Sequence, residues 1–144
     1  MLTSQTAGYL LVAATALHAG FQLVVTFLVY PAFAEVPADD WARHHAAHSR
    51  RITGLVAVVY GLALLAVAGV VVTGTWQVGT LTSVAATGLA MLVTMAVAAP
   101  AHGRLGRGRG ERDLATLLAA DRLRLGAAVL AAVAALAATV GAVP

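Results

Sequence analysis

The side chains able to do chemistry in this chain are five histidines, nine basic residues and six acids, and they are unevenly placed. His44, His45 and His48, with Arg50, Arg51 and half of the acids, fall between Pro31 and Ile52. His102, Asp121 and Arg124 fall in a second stretch, Pro100 to Leu125. His18 stands alone inside an apolar run.

His18 is the most informative of them. It precedes Tyr30 by 12 residues, roughly 18 Å of helix, which puts it near the middle of a bilayer. An ionisable group at that depth is costly and marks a functional site. Thr15, His18, Gln22 and Thr26 recur at i, i+3, i+7 and i+11, one polar stripe. Thr80, Ser83, Thr87 and Thr94 form a comparable stripe, extended by Met91 and His102. Two polar stripes in lipid should face each other or a cavity. On this reading His18 is a general base or hydrogen-bond donor inside a bundle, and Gln22 orients it. An imidazole suits proton abstraction from a phenol near neutral pH. The bland alternative is that these groups only hold helices together.

The connector histidines suggest a metal. His44 and His48 are i, i+4, and His45 and His48 are i, i+3, so either pair can share a helix face. His44 and His48 would then be two ligands and His102 a third, a workable spacing. No HExxH motif accompanies them, and an interfacial helix whose histidines meet headgroups, Asp39 or Asp40 is the plainer account. A bis-histidine haem on His18 needs a second histidine at its depth, and the sequence offers none. A cofactor-free site is the expectation. Arg51 and Arg124 stand where two apolar runs begin. They either snorkel to the interface, pair with Asp121 or Glu35, or clamp an anionic group. With Tyr30, His48 and His102 they would form the mouth of the site.

The elements that carry these residues follow from composition. Of 144 residues, 60% are hydrophobic and 10% charged, far below the ~25% charged of a soluble domain. One integral membrane domain is expected. Four apolar runs, about 8–30, 52–73, 80–99 and 125–143, are each long enough to span. Ala14-Thr15-Ala16 resembles a cleavage site, but no basic segment precedes it and the apolar run continues, so a cleaved leader is not expected. Pro31 and Pro100 should stop the first and third helices. Asp39 or Asp40 should cap the next helix, which is expected to run as an interfacial amphipathic segment into the second span. All charged side chains lie in the first and third connectors. The positive-inside rule then puts both connectors in the cytoplasm of a plasma-membrane protein, with both termini outside. The pI near 10.2 reflects these anchoring arginines and not nucleic-acid binding. There is no cysteine, which excludes disulfides and thiol chemistry. Small-residue faces at Gly54, Ala57, Gly61 and Ala68, and at Ala127, Ala131, Ala134 and Ala138, suit close packing, a second copy or a membrane partner. The two halves also resemble each other: an apolar span, Pro-Ala, a polar segment, then Arg opening the next span. This reads as a weak parallel repeat.

These features together resemble the anthrone-oxygenase-like family of small four-helix membrane proteins. The residues that carry the likeness are Ala19-Gly20, Tyr30-Pro31-Ala32, Pro100-Ala101-His102, Leu105 and Arg124. Where the family commonly has Asn, this chain has His102. Where it has Trp and Asn before the Arg, this chain has Leu117 or Leu118 and Asp121. The resemblance implies the four-span scaffold and, for members with a known activity, oxidation of polycyclic phenolic anthrones by dioxygen without an obvious cofactor. The alternative is a non-enzymatic membrane subunit or small transporter.

Overall fold

The computed structural model describes residues 1–141. The described residues form four long helices and no strands, each helix long and apolar enough to cross a membrane: α1 (Ser4–Ala34), α2 (Ala38–Thr73), α3 (Val78–Leu105) and α4 (Glu111–Val140). The protein is accordingly a multi-pass helical membrane protein. The expected end of the fourth span, at residue 143, lies outside the described residues.

Neither proline ends its helix. α1 continues through Pro31 to Ala34, and α3 continues through Pro100 to Leu105. The reason is the same in both. A wide π turn, Val25–Val29 in α1 and Thr94–Ala98 in α3, comes just before the residue that precedes each proline. Tyr30 N–H reaches back to Val25 O, and Ala99 N–H to Thr94 O, five residues away. A proline ring normally strikes the carbonyl four residues back. Widening the turn there lets the chain continue as helix. Both halves of the chain thus carry one device, at positions 69 residues apart (100 − 31, and 94 − 25).

α2 opens with one 3-10 turn, Ala38–Asp40, and then runs unbroken from Trp41 to Thr73. Neither Asp39 nor Asp40 caps it through a side chain. Asp40 pairs with Arg43 at 2.8 Å instead, one turn further on. The helix closes at Gly74, whose φ of +68° is the left-handed stop that glycine adopts without strain.

α4 is the central staple: it packs along both α1 and α3, and α1 also packs on α2. Its buried face is Ala127, Ala128, Ala131, Ala134 and Ala135, small enough to admit two neighbours closely. Of the glycines, Gly79 of α3 stands closest to a neighbouring helix. A Cβ there would lie 2.9 Å from Ala134 O and 2.9 Å from Ala138 Cβ. α2 and α3, by contrast, barely meet. The bundle is a ring open on one side. Two cores fill it. One, near the charged connectors, holds Tyr30, Phe33, Trp41, Leu105, Leu114 and Leu117. The other, near the α2–α3 turn, holds Ala7, Leu11, Ala14, Ala66, Val70 and Ala135.

Gly79→Leu should force α3 away from α4 and lower the thermal stability in detergent, by about 1–3 kcal/mol for an overpacked contact. Gly88→Leu, on an open face of the same helix, should change it little. Thermal unfolding followed by circular dichroism distinguishes the two.

Candidate functional site

One buried polar network ties all four helices. Asp121 of α4 is 1% exposed and Arg124, one turn on, is 7% exposed. They pair at 2.9 Å through Arg124 Nη2 and Asp121 Oδ1. Gln22 of α1 donates its amide to the same Asp121 oxygen. Arg124 Nη2 also donates to the Tyr30 hydroxyl at 3.3 Å, and Nη1 lies 3.5 Å from Thr94 Oγ1 of α3. Thr94 is held in turn by Tyr60 of α2, hydroxyl to hydroxyl at 2.7 Å.

Counting protons fixes the donors. Thr94 gives its hydroxyl proton to Ala90 O at 2.8 Å. It must therefore accept from Tyr60, which donates. Tyr30 accepts from Arg124, and its own proton has no acceptor among the described residues. A phenol whose oxygen receives a guanidinium N–H is a stronger donor than a free one.

The same count applies at the connector end. Ser49 gives its proton to His45 O at 2.8 Å. Its oxygen, 3.1 Å from His102 Nε2, is then the acceptor, so His102 carries its proton on Nε2. His102 Nδ1 keeps its lone pair, the basic position of the ring. His45 Nε2 faces His102 O at 3.2 Å, and a carbonyl only accepts, so this nitrogen is protonated too. Trp41 Nε1 donates to Leu105 O at 2.8 Å. Trp41 and His45, one turn apart on α2, thus add a second donor to carbonyls at the end of α3 that also accept from Gly108 N–H and Gly106 N–H. Phe33 packs between these rings, 4.6 Å from Trp41 and 4.8 Å from His48.

A cavity of about 230 Å³ joins the two groups. Gln22, Tyr30, His48, His102 and Arg124 line its polar part, and Phe21, Val25, Ile52, Val56, Ala98 and Leu117 much of its apolar part. Of the residues expected at the mouth, Tyr30, His48, His102 and Arg124 therefore meet around one space. Arg51 does not: it is exposed and makes no ion pair among the described residues.

His18 is fully buried, as its place in the apolar run requires, but it does not line this cavity. Its ring meets Tyr60 edge-on at 5.0 Å, and neither ring nitrogen has a partner among the described residues. No hydrogen bond links Gln22 to it among the described residues: the Gln22 amide nitrogen donates to Asp121, and its Oε1 has no partner. The two polar stripes are buried at Thr15, His18, Gln22, Thr80, Ser83 and Thr87. The trio His44, His48 and His102 is not assembled: His44 is exposed, and His45 takes the inward position, 4.5 Å ring to ring from His102. Among the described residues no three His, Asp or Glu side chains are placed to hold one metal ion.

Tyr60 and Ser49 escaped the sequence reading. Tyr60 was visible only as a lone phenol within the small-residue run of α2. The pairing of Arg124 with Asp121 was one of the alternatives the sequence left open, beside snorkelling, Glu35 and an anionic group. No family model, curated protein or solved structure matches the chain.

Asp121→Ala should leave Arg124 buried and unpaired, at a cost of about 3–5 kcal/mol. The double replacement Asp121→Leu with Arg124→Met should recover most of that loss, since the charge then leaves together with its partner. Urea or thermal unfolding of the three proteins in one detergent measures it.

Proposed function

We propose that this protein is a plasma-membrane enzyme that binds a hydrophobic small molecule carrying a carbonyl or phenolic oxygen and moves a proton on it. Its two charged connectors lie in the cytoplasm and both termini outside. The first turns of α2, Ala38 to Arg51, form an amphipathic segment at that interface. The distribution of arginine between connectors supports this orientation.

The observation that carries the reading is the pairing of opposite roles around one cavity. Tyr30, backed by Arg124, offers an unspent donor to a substrate oxygen. His102 offers Nδ1 as a base. Proton removal beside a carbonyl, or from a phenol, leaves an anion whose charge falls on that oxygen. A donor held ready there stabilises it. The resemblance to the anthrone-oxygenase-like family gives such an anion a destination. Oxidation of an anthrone by dioxygen removes two hydrogens from the central carbon and puts one oxygen atom on it, the other leaving as water. The reading assigns the base to His102 and gives Gln22 the task of holding Asp121. His18 acts at most through Tyr60.

A second reading is a binding protein or carrier without turnover, possessing the same cavity. One observation favours it: His18, the ionisable group at mid-depth, is sealed from the cavity.

The test is turnover of 1,8-dihydroxyanthrone by the protein in nanodiscs, followed as quinone absorbance. His102→Ala should lose on the order of 10²-fold or more, the usual contribution of a positioned base. Tyr30→Phe should lose a similar factor, while His18→Ala keeps most of the rate. Loss in His18→Ala with none in His102→Ala would reverse the assignment. Binding of the probe without turnover in any protein would establish the carrier reading.

A further inference from the structure

The open side of the bundle has a definite frame. α2 and α3 are joined near the connectors by Ser49 and His45 to His102, at 3.1 and 3.2 Å. They are joined again deeper by Tyr60 to Thr94 at 2.7 Å. Ser49 and Tyr60 are 11 residues apart on α2, roughly 16 Å of helix. Between these two clasps the helices make little contact. The cavity reaches the gap there: Thr53 and Val56 line it from α2, Ala98 and Ala99 from α3. Thr53 and Ala99 are exposed, and their neighbours Leu55 and Val97 are exposed apolar side chains. These residues stand at the connector-side ends of the two apolar runs, so the gap opens where hydrocarbon meets the headgroups.

We infer that the gap between α2 and α3 is a lateral window, and that the occupant of the cavity is a molecule dissolved in the bilayer that enters oxygen-end first. This rests on the reading above for what happens inside. The occupant's chemistry follows from the lining. The walls nearest the window are apolar or small, and the polar end is Tyr30 with Arg124 behind it. A hydrophobic body with one carbonyl or phenolic oxygen meets both. The small side chains of Ala98 and Ala99 set the aperture. The clasps set its height, so the opening does not depend on the helices drifting apart.

Two measurements decide it. The chain has no cysteine, so a single nitroxide on Val56→Cys in nanodiscs reports what enters the window. Collisions with dissolved oxygen should exceed those with a water-soluble nickel chelate. The opposite order would mean the cavity opens to water and would overturn the inference. Transfer of 1,8-dihydroxyanthrone from donor vesicles is then timed for the wild type and for Ala99→Trp and Thr53→Trp. Each tryptophan should slow association by about tenfold, a rise of ~1.4 kcal/mol in the entry barrier. An unchanged association rate in both variants would also overturn it. Should the wild type not bind this probe, the proposed function fails, and the nitroxide result still decides the window.

Discussion

Taking a carboxylate and a guanidinium out of water costs several kcal/mol for each ion, and attraction between them repays this only when their remaining hydrogen-bonding capacity is met. In this bundle the pair draws on every helix, and of the network's polar atoms Arg124 Nε and Gln22 Oε1 stay without a partner among the described residues. Asp121 and Arg124 belong to α4, Gln22 and Tyr30 to α1, Thr94 to α3, and Tyr60 reaches Thr94 from α2. Alanine faces bring the helices close, but such faces are self-similar and tolerate sliding. The ion pair is not tolerant: a shift of one turn along α4 would leave it without Gln22, Tyr30 and Thr94. The pair therefore fixes the register that packing alone leaves loose.

The same rule, that polar groups in an apolar medium find partners within the protein, governs the backbone. Each proline removes a donor from its helix, and each helix nevertheless continues for several residues. The π turns make this possible, and the extra length matters. It carries Phe33 at the end of α1, and His102 and Leu105 at the end of α3, into contact with the first turns of α2. Trp41 and His45 then tie α2 to the terminal carbonyls of α3. At the end of α1, Arg109 donates to Ala34 O at 3.2 Å. The connector end of the cavity is built from helix ends closed by side chains of other helices.

How far the sequence foretold this depends on which force was at stake. The four spans were legible because hydropathy over about twenty residues is a bulk property. That His18 and Gln22 would be buried was legible from their stripe. Their partners were not. A stripe gives a direction on one helix and says nothing of which neighbour fills it, so the Gln22–Asp121 contact could not be read. Pro31 and Pro100 were misread as stops because a π turn leaves little trace in composition. His44 and His45 both fit a pairing with His48, and only the rotation of α2 on Phe33 chooses His45. Arg51 and Arg124 look alike in sequence, each opening an apolar run. α4 turns Arg124 inward on Asp121, whereas α2 has no acid at the matching position.

The central place of α4 also bears on how the molecule is made. Helices enter a membrane in chain order, so α4 arrives after the other three. Until then α1 and α3 have almost nothing to hold them together, and Gln22 and Tyr30 lack the ions they are built to meet. A nascent chain stopped short of Glu111 is three spans with unmatched polar groups in lipid. α4 is thus the helix that joins α3 to the packed pair of α1 and α2.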